Sequence, residues 1–140
     1  MNTRYLADPL QQLTHAYKSY MRRAIQEAGI GVPITHVRVL KGIASRNECT
    51  AQALSARMRR DKAQITRVLN DLLAAGLIDK RDNPGDRRSQ LLELTADGQV
   101  LMAQIQVFEA AAAERMTAGL SPAQIDSFIH LANHMAEQLK

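Results

Sequence analysis

Tryptophan is absent from this 140-residue sequence, cysteine occurs once, and three tyrosines and two phenylalanines are its only other large aromatics. A single cysteine, Cys49, excludes a disulfide framework within the chain and a cysteine-based zinc finger, so stability has to come from packing. With 46% hydrophobic but only 4% aromatic residues, the core must be filled by Leu, Ile, Val and Ala, which favours helices, and few stretches read as strand. No apolar run approaches the roughly 18 to 20 residues needed to cross a membrane. The opening MNTRYLADPLQQ has no apolar run resembling a signal peptide. The expectation is a soluble, cytoplasmic protein without membrane contact. Catalytic signatures are missing as well. There is no phosphate-binding Gly-rich loop, no pair of carboxylates in one short apolar setting and no G-x-S-x-G nucleophile motif, so neither an enzyme nor a cofactor is expected.

What the chain does have is an uneven charge. Residues 1–56 carry 7 Lys/Arg against 3 Asp/Glu, residues 57–88 carry 9 against 5, and residues 89–140 carry 2 against 6. The net charge of +4 therefore hides a basic front and an acidic tail. Such a front is what a nucleic-acid surface needs, because phosphate contacts supply most non-specific affinity. A solvated charged surface without a partner has the same composition.

The most informative stretch is DKAQITRVLNDLLAAG, residues 61–76. Asp61 is placed to cap a helix, Gln64 to complete a capping box, and Gly76 to close the helix in the left-handed conformation. Ile65, Val68, Leu69, Leu72 and Leu73 recur at i, i+3, i+4, i+7 and i+8 and gather on one apolar stripe. The opposite face then holds Ala63, Arg67 and Asn70, flanked by Gln64 and Thr66. Arg, Asn and Gln make bidentate contacts to base edges in the DNA major groove, and Ala or the Thr methyl can meet a thymine methyl. A plain solvated helix face is the competing reading.

The flanking sequence supplies context. Asp8 as N-cap and Pro9 at the first helical position predict a helix of about twenty residues, ending at Gly29. GIGVP resets direction before a second helix from Thr35 to Ala44, with Val37, Leu40, Ile43 and Ala44 inward. Residues 45–49 read as a connector. Thr50 caps a short third helix with Leu54 and Met58 inward, and Arg59 and Arg60 turn the chain into the helix at 61, the form of a helix-turn-helix. Ile78–Arg81 and Gln90–Leu94 then flank DNPGDRRS, whose Asn83-Pro84-Gly85 has the order of a type II turn. A hairpin placed there is a wing, and Arg87 and Arg88 at its tip suit an adjacent minor groove. Thr95 caps a long helix in which Leu101, Ile105, Phe108, Ala112 and Met116 keep step, and Ser121-Pro122-Ala123-Gln124 is a capping box for a last helix through Leu139.

Four of these pieces in order, ITHVRVL, ALSARMRRDKAQITRVLNDLLAAGLIDKR, DNPGDRRS and LTADG, resemble the successive signatures of the MarR family of winged helix regulators. The resemblance covers residues 34–98 directly. It implies a mainly α fold with a small β-hairpin wing in one domain over residues 1–140. Within it a winged helix-turn-helix DNA-binding core, residues 34–98, is flanked by long dimerisation helices at 8–28 and 99–139. It further implies a homodimer that binds pseudo-palindromic double-stranded DNA, usually represses, and is released by a small molecule or oxidant. Gln64, Thr66 and Arg67 fall where the family's recognition helix meets bases and phosphates. Asp86 and Arg88 fall on the wing pair in which the acid steadies the arginine. Arg60, Lys62, Ala63, Asn70 and Arg87 complete the expected DNA-facing set. A small aromatic or phenolic ligand is expected in a cleft between the first two helices and the helix from Thr95, with Tyr17 and His36 as its polar groups. Two departures stand out. Thr35 and Arg38 lose the family's capping box at the second helix, and Arg59 and Arg60 replace a small and an apolar residue at the turn.

Other chemistry has weaker support. His130 and His134 share a helix face with Glu137 at zinc-compatible spacing, but no third ligand is specified, and no metal is expected. Cys49 as a redox trigger is an alternative, as is a winged helix used only for protein contact. The apolar bands of the end helices suit either a monomer core or a dimer interface.

Overall fold

The computed structural model describes residues 5–46, 48–58 and 60–140. Among them the chain forms α1 (Ala7–Glu27), α2 (Ile34–Ala44), α3 (Ala51–Met58), α4 (Lys62–Ala74), β1 (Ile78–Asp82), β2 (Gln90–Leu94), α5 (Ala96–Met116) and α6 (Pro122–Gln138). This is the mainly α architecture with a β-hairpin wing that the sequence predicts. Residues of the expected turn and connector at Arg59 and Asn47 lie outside the described residues.

The core forms where the helical stripes converge. Val39, Leu40 and Ile43 of α2, Leu54 of α3, and Ile65, Leu69 and Leu72 of α4 are all buried, together with Ile78, Leu92 and Ile105. The predicted stripe of α4 is therefore its inner face, with Leu73 half-buried at its edge.

Three helix starts are fixed by side chains as predicted. Thr50 Oγ1 accepts from the Ala53 N–H at 3.1 Å. Thr95 accepts from the Gly98 N–H, and Ser121 and Gln124 form a complete capping box. Two expected starts differ. Helix α1 begins at Ala7, so Asp8 is not its cap and Pro9 is its third residue. Proline is tolerated there because the first-turn N–H groups have no intrahelical acceptor. Asp61 does occupy the N-cap of α4, but its side chain makes no capping hydrogen bond, and the capping box with Gln64 is absent. This helix start is exposed, so water satisfies the first N–H groups and the carboxylate contributes only its charge at the positive helix end.

Gly76 closes α4 with φ of 72°, as expected. The chain then enters an antiparallel hairpin with Ile78 opposite Leu94 and Asp82 opposite Gln90. The supposed connector contributes too. Cys49 pairs with Leu92 as an isolated bridge, its carbonyl accepting from the Leu92 N–H at 2.7 Å. Strand β2 is thus flanked on both edges, and Leu91 and Leu92 are both buried.

Helix α5 is seated against the end of α4. The Thr95 hydroxyl donates to the Gly76 carbonyl at 2.7 Å while accepting from Gly98 N–H at 3.1 Å. The Thr95 N–H donates to the Leu77 carbonyl at 3.1 Å. The approach is so close that a Cβ on Gly98 would lie 2.1 Å from that same oxygen. The LTADG signature is the sequence of this joint.

Candidate nucleic-acid interface and cleft

Helix α4 presents Lys62, Ala63, Gln64, Thr66, Arg67 and Asn70 to solvent, and all six are exposed. The Thr66 hydroxyl is used internally, donating to the Lys62 carbonyl at 2.9 Å, so its methyl is the group left for a partner. The turn into α4 is held by two bonds between Ser55 and Arg60, one from the Ser55 hydroxyl to the Arg60 carbonyl at 2.6 Å and one from the Arg60 N–H to the Ser55 carbonyl at 3.2 Å. Arg60 departs from the other predicted DNA-facing residues. It is half-buried and lines a cleft on the other side of the turn.

The wing tip consists of two successive turns. Asn83 Oδ1 accepts from the Gly85 N–H at 3.0 Å, and the Asn83 carbonyl accepts from the Asp86 N–H at 3.2 Å. Asp86 repeats the pattern, with its carboxylate accepting from the Arg88 N–H at 2.9 Å and its carbonyl from the Ser89 N–H at 3.3 Å. Gly85 does not have the positive φ that a type II turn requires, so that expectation is corrected. The Asx turn made by Asn83 sets the conformation instead. The Asp86 carboxylate meets the Arg88 backbone amide and not its guanidinium, which has no hydrogen-bond partner among the described residues. Arg87 and Arg88 are both exposed.

A cleft of about 900 Å³ opens between α1, α2, α3 and α5. Its apolar wall includes Leu13, Met21, Ile25, Val37, Ile105 and Met116, and its polar groups include Tyr17, Lys18, Arg22, Arg38, Lys41, Arg57, Arg60 and Glu109. Six cations against one carboxylate make it electropositive. Lys41 and Glu109 form an ion pair between α2 and α5. Burial, followed by the negative charge of Glu109, pushes the Tyr17 phenol above its ordinary pKa, with Lys41 opposing.

Of the two expected ligand residues, Tyr17 lies in this cleft and His36 does not. His36 Nε2 instead meets Asp71 Oδ2 of α4 at 2.9 Å. Its position is legible once the helix is drawn, since Val39, Leu40 and Ile43 follow it at i+3, i+4 and i+7 on the buried stripe of α2. Lys41 and Glu109 were not singled out by the sequence reading. The available signal was Glu109 itself, a lone acid within the apolar run VFEAAAA.

Cys49 is fully buried. Desolvation raises its pKa and outweighs the lowering by the Arg57 and Arg46 charges. A buried thiol held protonated is poorly suited to act as a redox trigger. Among the described residues no cluster of three metal-ligating side chains occurs, and no helix is long and apolar enough to cross a membrane.

A three-helix core with α4 turned outward, followed directly by a hairpin, is a winged helix-turn-helix. The model of the MarR family matches residues 30–89, from the α1–α2 link to the wing. No curated protein matches the sequence. The structure is similar to a mutant MarR from E. coli complexed with operator DNA, with 22% identity, a TM-score of 0.72, and 96% of this chain and 99% of that one covered. It is also similar to the PcaV transcriptional regulator from Streptomyces coelicolor in complex with its natural ligand, with 22% identity, a TM-score of 0.73, and coverage of 100% and 95%. A third is BpsR of Bordetella bronchiseptica, whose DNA binding is regulated by 6-hydroxynicotinic acid, with 21% identity, a TM-score of 0.77, and coverage of 96% and 93%. At these identities the likeness establishes the fold.

Proposed function

We propose that the protein is a homodimeric repressor that binds pseudo-palindromic double-stranded DNA through α4 and the wing and is released by a small aromatic acid. The observation that carries this reading is the outward face of α4. Gln64, Arg67 and Asn70 stand exposed above a buried apolar stripe, with an exposed arginine pair on the wing beside them. In this reading Gln64, Arg67 and Asn70 read base edges, Ala63 and the Thr66 methyl contact thymine methyls, and Lys62, Arg87 and Arg88 meet the backbone or minor groove. Asp86 presets the backbone of the arginine that enters.

Dimerisation is supported by what the end helices leave uncovered. Helix α6 has no buried residue, yet Phe128, Ile129, Leu131 and Met135 lie along it, each about half exposed. Leu6 and Leu10 of the α1 end and Val107 and Met116 of α5 are also exposed. An apolar surface of this extent calls for a partner, and a second copy related by two-fold symmetry matches a palindromic operator. The cleft's charge and apolar wall favour an anion with a flat apolar body, which Lys41 or Arg38 would hold while Tyr17 donates.

The decisive experiment is a mobility shift on genomic fragments at physiological salt, with light scattering on the same sample. The expected result is retention of a few fragments that share an inverted repeat, by a species of twice 15.5 kDa. Equal binding to all fragments, or a monomer, overturns the reading.

A further inference from the structure

Helix α4 is attached to the body almost entirely by apolar contacts, through Ile65, Val68, Leu69 and Leu72. Such contacts are non-directional, and a hydrogen bond adds a fixed direction to them. One side-chain hydrogen bond links α4 to another helix among the described residues, from His36 of α2 to Asp71 at 2.9 Å. Asp71 follows Gln64 by seven residues and Arg67 by four, so the three lie along one edge of α4. His36 therefore grips the same edge that carries two of the proposed base-reading side chains. The ring is largely buried, at 18% exposure, and its Nδ1 is buried without a partner among the described residues. Among the described residues Asp71 is thus the only polar anchor of the imidazole. At a helix radius of about 5 to 6 Å, a rotation of about 10° moves a side-chain tip by about 1 Å, enough to spoil a bidentate contact.

We infer that His36 is a positioning residue whose bond to Asp71 sets the rotation of the recognition helix and thereby its discrimination between DNA sequences. This rests on the reading of α4 as the DNA-binding helix. The residues beside His36 on α2, Thr35 and Val37, line the cleft, so the tether also joins the cleft wall to the DNA-facing helix.

The test compares wild type with His36→Leu, His36→Gln and Asp71→Ala by fluorescence anisotropy. The DNA is a duplex selected from a random library by the wild type and a version with scrambled half-sites. His36→Leu keeps the volume apolar, and Asp71 is 59% exposed, so both single losses leave a folded protein, which melting checks. His36→Leu and Asp71→Ala should each lower the ratio of selected to scrambled affinity by about three- to tenfold, with binding to scrambled DNA little changed. His36→Gln, which keeps a donor at similar reach, should recover most of the ratio. An unchanged ratio in either loss variant, an equal loss on both duplexes, or no recovery with Gln overturns the tether. A wild type that selects no sequence overturns the DNA-binding reading, and the tether's role with it.

Discussion

Replacing Gly98 by Ala isolates the joint between α4 and α5. The added methyl would lie 2.1 Å from the Leu77 carbonyl oxygen and 3.4 Å from Leu94 Cβ. An ordinary C···O contact is about 3.3 Å, so either α5 or the Leu77 peptide must move by about 1 Å. That peptide cannot move freely, because its oxygen also accepts the Thr95 N–H at 3.1 Å. Overpacking of this kind costs about 1 to 3 kcal/mol, and weakening the bond adds about 1 kcal/mol. The sum is roughly 2 to 4 kcal/mol, or a fall in Tm of about 6 to 15 °C for a chain of this length. Thermal melts followed by circular dichroism at fixed protein concentration measure it, since association shifts Tm. Two other glycines serve as references. Gly85→Ala should be neutral within about 0.5 kcal/mol, because its φ is ordinary and its nearest neighbour is 3.5 Å away. Gly76→Ala should cost about 1 kcal/mol from its φ of 72° alone. If Gly98→Ala melts within 2 °C of Gly85→Ala, the joint is not as tight as described and the reasoning fails.

Alanine at Gln64 or Arg67 should each cost roughly 1 to 3 kcal/mol on the selected site with little change on random DNA, and equal losses on both would make them phosphate contacts. Arg88→Ala should flatten the slope of log K against log salt by up to about two units in a dimer while preserving sequence preference; an unchanged slope would take the wing off the DNA. Asp86→Ala should weaken binding although it removes a negative charge, because the Asx turn that presets Arg88 is lost, and tighter binding would show that charge alone governs the wing. Cys49 and Tyr17 both have raised pKa values in the folded chain. Their contribution to stability is therefore complete at neutral pH and is lost as pH rises from the unfolded thiol value, about 8.5, through the folded values. Native Cys49 should accordingly react with a disulfide reagent at pH 8 far more slowly than in denaturant, and equal rates would contradict its burial.

Helices α2 and α4 are legible because each writes its inner face into the sequence at three- and four-residue steps, and the starts of α3, α5 and α6 because Thr50, Thr95 and Ser121 supply a capping side chain. Asp61 shows the limit of that code. At an exposed helix end water does the capping, so the residue type is present without the hydrogen bond. At Asn83-Pro84-Gly85 the Pro and Gly signal a turn, while the Asn side chain decides which one. The cleft was beyond local reading altogether: Tyr17, Lys41 and Glu109 come from three helices and meet only after packing. The resemblance alone puts His36 in that cleft, although its helical phase places it on the side facing α4.

The base of the hairpin is closed independently of its tip. Ile78 stands opposite Leu94, and Thr95 is bonded immediately beyond to Gly76 and Leu77. The segment between Asp82 and Gln90 is therefore a detachable module with respect to the helices. Adding or removing residues in pairs there would preserve the register and change only how far the arginines extend. A wing lengthened or shortened in this way leaves the bonds of Thr95 to Gly76 and Leu77 as they are.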